Sequence, residues 1–503
     1  STTIKAIVYD YKGNMIAKGS AVTPLSYLDP EHPAWCVWEP DKLWSNTAAA
    51  IRQAVSSIKE PSAIKGVAVT GFGMDGLPLD KDGNSLYPLI SWHCPRTEPQ
   101  AKNFAARVGA RELFEKTGKQ VMIIDSIYRM IWMRENHPDI LEKTDKWLLV
   151  EDFINFKLCG SKVIDRSMAT TTSVYQPKQR KWAYDLIEAA GIPAHIFPEI
   201  LPSGTVIGSV SAAASNETGL AAGTPVVLGG HDYICAALAV GNIHENTVMN
   251  VTGTWEMVVL PSGEPVINDQ LFESGYYIES HVAKDLYCYI GSNVCADMLE
   301  WFKANYAYEE SLAKDNNVWE LLMDKAKASP FGANGCFFLP HFSGTVVPNM
   351  DSNSLGAFIG LSSNTSKGDM IRAIVEGLDY QFMEMLSALE EALHIQTKKI
   401  LAVGGATNNS FWMQNKADVT GKLIEMPDVY EATALGAALL AGIGIGVYSD
   451  ERDAIANVYK SGRNYEPDLN LHEKYADYYN RIYKKIYPSL RDANREIFKT
   501  FKT

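Results

Sequence analysis

The chain has 503 residues, several times the common domain size, so two or more cores are expected and no disulfide or metal staple is needed. With 46% hydrophobic, 10% aromatic and 21% charged residues, the composition excludes disordered, collagen-like and disulfide-scaffold classes. The formal net charge is −13 and no basic run exceeds a pair such as Lys398-Lys399 or Lys484-Lys485, so neither nucleic acid nor an anionic membrane is an expected partner. An anionic substrate must then be held by backbone N–H groups, a helix terminus or a cation.

In chain order, residues 3 to 22 read as a hairpin: Ile4, Ala6 and Val8 share one face, Lys12-Gly13-Asn14 turns, and Met15 to Ala21 returns. Gly66 to Thr70 and Pro225 to Leu228 read as buried strands, the second feeding a helix from Tyr233 to Val240. A second hairpin follows, Val248 to Val251, Thr252-Gly253-Thr254, then Glu256 to Leu260, with a turn at Pro261-Ser262-Gly263-Glu264. Its grammar repeats that of the first, which suggests a distant duplication of a domain. Ser366-Lys367-Gly368-Asp369 opens a core helix running to Leu389, with a start of the capping-box kind. Lys399 to Val403 is a third strand, and a helix is expected from about Phe411 to Thr420. Ala434 to Val447 is apolar but Gly-rich and shorter than the roughly 20 residues of a spanning helix. The tail from about Leu471 to Phe498 reads as a surface helix rich in Tyr and Lys. The fold class is α/β, and the boundary falls near Glu245, giving halves of 1–245 and 246–503.

Strand, tight glycine turn and helix is how open α/β sheets build a site at the carboxyl edge of their strands. Met74-Asp75-Gly76 and Ser91-Trp92-His93-Cys94-Pro95-Arg96-Thr97 place polar groups beside an indole, which suits a sugar, although a buried Trp with a turn at Pro95 explains the second run equally simply. In Gly229-Gly230-His231-Asp232 the acid projects from a strand end, where it can take a proton from a substrate hydroxyl or simply cap the helix. Thr252, Gly253 and Thr254 can offer hydroxyls and N–H groups to phosphate oxygens, or form an ordinary turn. Gly404 and Gly405 would admit a flat ring against the backbone, with Asn408 in hydrogen-bonding reach, or make a plain strand-to-helix turn. Neither a Walker A nor a Rossmann fingerprint is present.

The seven cysteines form no C-x-x-C pair and the ten histidines show no zinc spacing, a pattern of reduced thiols. Cys94 has no assignable catalytic partner and reads as a packed thiol. The first residues do not form a signal peptide, and cytoplasm is the expected location.

Joined in this order, the motifs resemble the FGGY family of carbohydrate kinases over nearly the whole length. The most specific segment is Gly356-Ala357-Phe358-Ile359-Gly360-Leu361, followed by Asp369 to Gly377, which is similar to the family's C-terminal signature. The resemblance implies two actin-like, ribonuclease-H-like domains with an interdomain cleft in which ATP and a sugar meet. It implies Asp232 as general base and as a magnesium contact through water, Thr252, Gly253 and Thr254 at the phosphates, and Gly404, Gly405 and Asn408 at the adenosine. Asp75, Gly76, Trp92 and Arg96 are the implied sugar-side residues. The implied reaction is phosphorylation of a primary hydroxyl, O1 of a ketose such as L-fuculose, with other ketoses and polyols as alternatives. A small sugar is the expected partner, and a homodimer is one assembly open to it.

Two departures stand out. The family opens with a strand ending in D-x-G-[ST]-x-x-x-[KR]; this sequence starts at Ser1-Thr2-Thr3-Ile4-Lys5, with Lys5 matching the last basic residue and no counterpart of the acid. Either the sequence starts inside that motif or the acid of the metal site is lost, and the second case leaves open a protein that keeps the frame, responds to sugar or nucleotide and transfers no phosphate. Gly344-Thr345-Val346 lacks the acidic and basic residues that many members carry after the glycine.

Overall fold

The computed structural model describes residues 2–312 and 317–501. The opening hairpin pairs Thr3–Tyr9 with Met15–Val22, antiparallel. Its turn closes because Asp10 Oδ1 accepts the N–H groups of Lys12 and Asn14, while Gly13 takes a φ of +74° that costs glycine nothing. Helix Pro40–Ser56 packs over this hairpin.

In the N-terminal half, Pro225–His231 is the middle strand of a three-stranded sheet, antiparallel to Val206–Ser209 and parallel to Val67–Gly71. The C-terminal half holds a seven-stranded sheet in the order Tyr277–Ser280, Tyr287–Val294, Trp255–Ser262, Thr247–Thr252, Lys399–Val403, Leu423–Met426, Arg463–Tyr465. Thr247–Thr252 is antiparallel to Trp255–Ser262 and parallel to Lys399–Val403. Both faces of these two central strands are covered: Val248, Met249, Ile400 and Leu401 are all buried, and so are the polar Asn250 and Thr252.

Helix Lys367–Leu393 begins with the expected reciprocal cap: Ser366 Oγ accepts the Asp369 N–H at 3.2 Å and Asp369 Oδ2 accepts the Ser366 N–H at 2.8 Å. Its stripe of Ile371, Ile374, Leu378, Phe382, Met385 and Leu389 forms much of the C-terminal core. The apolar stretch after Ala434 lies in helix Ala432–Gly444, which packs on helix Asp232–Ala239 and on strands Val67–Gly71 and Pro225–His231. Leu435, Ala437, Leu439, Leu440 and Ala441 are buried, which accounts for its apolar character. A late segment of the chain thus serves the first half of the fold.

The tail differs from the plain surface helix that its composition suggests. Helix Leu469–Tyr478, a π-turn over Tyr479–Tyr483 and helix Lys484–Phe501 bury Tyr475, Tyr483 and Ile486 against Tyr380 and Val419. Tyrosine permits this because the ring packs while the hydroxyl stays bonded; the Tyr475 hydroxyl lies 3.0 Å from Glu376 and 2.6 Å from Asn415.

Between Thr3–Tyr9 and Val67–Gly71 lies a cavity of about 900 Å³, lined by Ile4, Ala6, Val8, Val67, Val69 and Leu435 among others. In the C-terminal half, strand Thr247–Thr252 lies between Trp255–Ser262 and Lys399–Val403. Lys5 stands beside the cavity, its ammonium 2.8 Å from Glu431, and Lys18 reaches the same carboxylate at 2.8 Å.

Candidate active site

Parallel neighbours Val67–Gly71 and Pro225–His231 run out at the same edge, so the residues that follow them are brought together. His231 occupies the cap position and Asp232 is the first residue of helix Asp232–Ala239, so Asp232 is not the cap. Its Oδ1 accepts the N–H of Tyr233 at 2.6 Å, and its side chain is 41% exposed on the cavity wall. Burial of the rest of the group pushes the carboxyl above its ordinary range, and the neighbouring His231 opposes that rise.

Asp75 lies beneath this edge, fully buried, with the Trp38 indole N–H at 2.8 Å from one oxygen and Arg129 at 3.0 Å from the other. Burial outweighs the Arg129 charge and holds its carboxyl at about 6. Gly76 begins the buried strand Gly76–Leu79, and a side chain there would collide with Trp147. Trp92 stacks on His93 at 3.7 Å between ring centroids, and its indole N–H is buried without a hydrogen-bond partner. Arg96 is clamped between Trp35 and Trp132, its guanidinium 4.6 and 5.0 Å from the two rings, and it donates to Cys94 Sγ at 2.9 Å. Cys94 is buried, in line with the packed thiol.

On the other half, parallel neighbours Thr247–Thr252 and Lys399–Val403 place Thr252-Gly253-Thr254 beside Gly404-Gly405. Gly253, Thr254, Gly404, Gly405 and Asn408 remain accessible, whereas Thr252 is fully buried. The Thr252 hydroxyl donates to Asn250 at 2.9 Å and belongs to a buried network centred on Lys416, which pairs with Glu256 and reaches Asn250 at 2.9 Å. Asn408 Nδ2 donates to the Gly405 carbonyl at 3.2 Å, and Asn409 caps helix Ser410–Thr420 through the Trp412 N–H.

The loop at Gly344-Thr345-Val346 is tied down by backbone pairing of Thr345 with Asp351 and by Asn293 Oδ1, which accepts the Val346 N–H at 2.7 Å.

Several residues that shape the site carry no motif. Glu279 on strand Tyr277–Ser280 is fully buried, bonded to His231 Nδ1 at 2.8 Å and to Lys119 Nζ at 3.1 Å. Lys416 is equally buried under the glycine loops. The available signal was a lone charge at a core position: Glu279 among Tyr276, Tyr277 and Ile278, and Lys416 at helical spacing from Trp412 and Met413.

The fold superposes on the crystal structure of xylulose kinase from Rhodospirillum rubrum with a TM-score of 0.88, at 26% identity and covering 98% of each chain. It is thus a two-domain α/β fold of the actin-like kind, with a cleft between the halves. Residues 1–239 match the N-terminal domain of the FGGY family of carbohydrate kinases and residues 248–445 match its C-terminal domain. The chain belongs to the FGGY family and is a carbohydrate kinase. It is 30% identical to L-fuculokinase of Escherichia coli (strain K12) over 468 residues, 93% of this chain and 95% of that protein. It is 26% identical to xylulose kinase of Staphylococcus epidermidis (strain ATCC 12228 / FDA PCI 1200) over 500 residues, 99% and 97% of the two chains. Among the described residues no helix is long and apolar enough to cross a membrane.

Proposed function

We propose that the protein transfers the γ-phosphoryl group of ATP to a primary hydroxyl, O1, of a ketose such as L-fuculose. The observation that carries this is Asp232: a half-exposed carboxylate at a strand end, with one oxygen fixed by the Tyr233 N–H and its open edge on the cavity wall. Asp232 accepts the proton of the acceptor hydroxyl, which leaves the oxygen able to attack phosphorus. Thr254 holds the phosphates through its backbone N–H and hydroxyl, and Gly253, whose own N–H is donated to the Trp255 carbonyl at 3.0 Å, lets the backbone come close to them, while the buried Lys416 network keeps Thr252 from shifting. Gly404, Gly405 and Asn408 hold the adenosine. The Trp92 N–H is offered to a sugar hydroxyl, with Asp75, Gly76 and Arg96 setting the wall behind it. Closure of the halves excludes water, the competing acceptor.

Among the described residues no group of three or more His, Cys, Asp or Glu side chains is arranged to hold a metal ion. Magnesium keeps several waters and binds through one or two carboxylates plus substrate phosphates, a demand that the accessible carboxylate of Asp232 fits. Asp232 is the residue that would hold it, through water. Magnesium bound with the nucleotide neutralises charge spreading over the transferred phosphoryl group.

The likeness to L-fuculokinase supports L-fuculose as acceptor, and the likeness to xylulose kinase supports xylulose as the second reading. A coupled ADP-release assay with magnesium-ATP against L-fuculose, xylulose, ribulose, rhamnulose and glycerol tests both. Fastest turnover with L-fuculose is the expected result; stimulation by none of the five overturns the proposal.

A further inference from the structure

The contact between Glu279 and His231 joins the two halves of the fold one residue away from Asp232. Glu279 sits on an edge strand of the C-terminal sheet, whereas Lys119 and His231 lie within the N-terminal family domain. All three are buried, with side-chain exposures of 0%, 1% and 2%. Each Glu279 oxygen is engaged separately, Oε1 by Lys119 at 3.1 Å and Oε2 by His231 Nδ1 at 2.8 Å. The strand is stitched down on either side of Glu279: the Ile278 N–H donates to the Gly118 carbonyl at 2.9 Å, and the Ser280 N–H to Thr170 Oγ1 at 3.3 Å.

The imidazole itself has little freedom. Its centroid is 4.4 Å from the Tyr233 ring, its Nε2 lies 3.9 Å from Asp232 Oδ1, and even a methyl group on Gly73 would come within 3.2 Å of that nitrogen. Turning the ring would leave a buried carboxylate short of a donor, which is costly. A buried ion pair is weak evidence for stability, because apolar residues of similar volume often do as well. Three buried ionisable groups joining two domains at this point therefore call for another reason.

We propose that Glu279 is a positioning residue for the reaction: by holding His231 from the opposite domain, it sets the aim of the Asp232 carboxylate. The proposal rests on the reading of Asp232 as the base. Because strand Tyr277–Ser280 and the phosphate loop at Thr252–Thr254 belong to the same sheet, the base keeps its bearing relative to the phosphates only while this contact holds.

The test is a double-mutant cycle on the full chain, reading kcat and KM with L-fuculose and magnesium-ATP for wild type, E279A, D232N and the double variant. E279A should lower kcat by about 10- to 100-fold, the scale of a misplacement near 1 Å, with KM for both substrates within about twofold. In the D232N background the same change should cost less than about twofold, since Glu279 acts through the residue already removed. E279Q, which keeps an acceptor for His231, should recover part of the loss; E279M, which fills the space but offers no acceptor, runs the same cycle if E279A fails to fold. An equal loss in both backgrounds, or wild-type kcat in E279A, overturns the positioning role while leaving the base intact. Wild-type turnover in D232N overturns the base and this role together.

Discussion

Gly404 packs directly against the carbonyl oxygen of Thr252: a methyl group on its Cα would overlap that oxygen, and its φ of +107° is one that residues with side chains rarely adopt. The two loops assigned to the nucleotide are therefore in mutual contact, so a change in one displaces the other. Gly404→Ala meets both strain and collision, each on the order of 1–3 kcal/mol. The expected outcome is a KM for ATP raised by about tenfold or more, with the KM for sugar little changed, read from initial rates. An unchanged KM for ATP would separate this loop from the nucleotide.

The Trp92 indole offers a buried N–H with nothing to receive it. A typical hydrogen bond contributes about 0.5–1.5 kcal/mol, so Trp92→Phe, which keeps an aromatic face but removes the donor, should raise the KM for sugar by about 3- to 10-fold. Thermal melting of the free protein should change little, because removing an unsatisfied donor offsets the packing lost with the smaller ring. Loss of stability with no change in KM would make Trp92 a packing residue.

The pH dependence of folding has a definite sign at Glu279. Burial alone would raise its pKa, but Lys119 and His231 outweigh burial and bring it down to about 2 from an ordinary 4.5. A depressed carboxyl stabilises the fold above its unfolded pKa and loses that contribution as pH falls through the folded one. Between roughly pH 4.5 and 2, wild type should lose stability on the order of 3 kcal/mol from this group. Denaturant titrations across that range should show E279Q with a flatter acid limb; identical limbs would mean that Glu279 is not held ionised.

The hairpins and strand turns were legible because alternation and turn residues act locally: Asp10, Gly13 and Asn14 specify their turn by themselves. The helix after Ser366 was legible through its cap and stripe for the same reason. What stayed hidden depends on distant partners. Nothing near Asp75 announces that Trp38 and Arg129 converge on it, or that Lys119, 160 positions from Glu279, shares its carboxylate with His231. The tail misled because tyrosine pattern does not separate a wet ring from one stacked on Tyr380. Likewise Thr252 and Thr254 look equivalent in sequence, yet only Thr254 is exposed, since Thr252 completes the Lys416 network.

The most direct test of the account is Asp232→Asn in the full chain. Asparagine matches aspartate in size and its carbonyl oxygen can still accept the Tyr233 N–H, so the fold and the KM for ATP should persist within about twofold. Without a group to take the hydroxyl proton, kcat should fall by a factor on the order of 10² to 10⁴. Turnover at the wild-type rate in that variant would contradict the account.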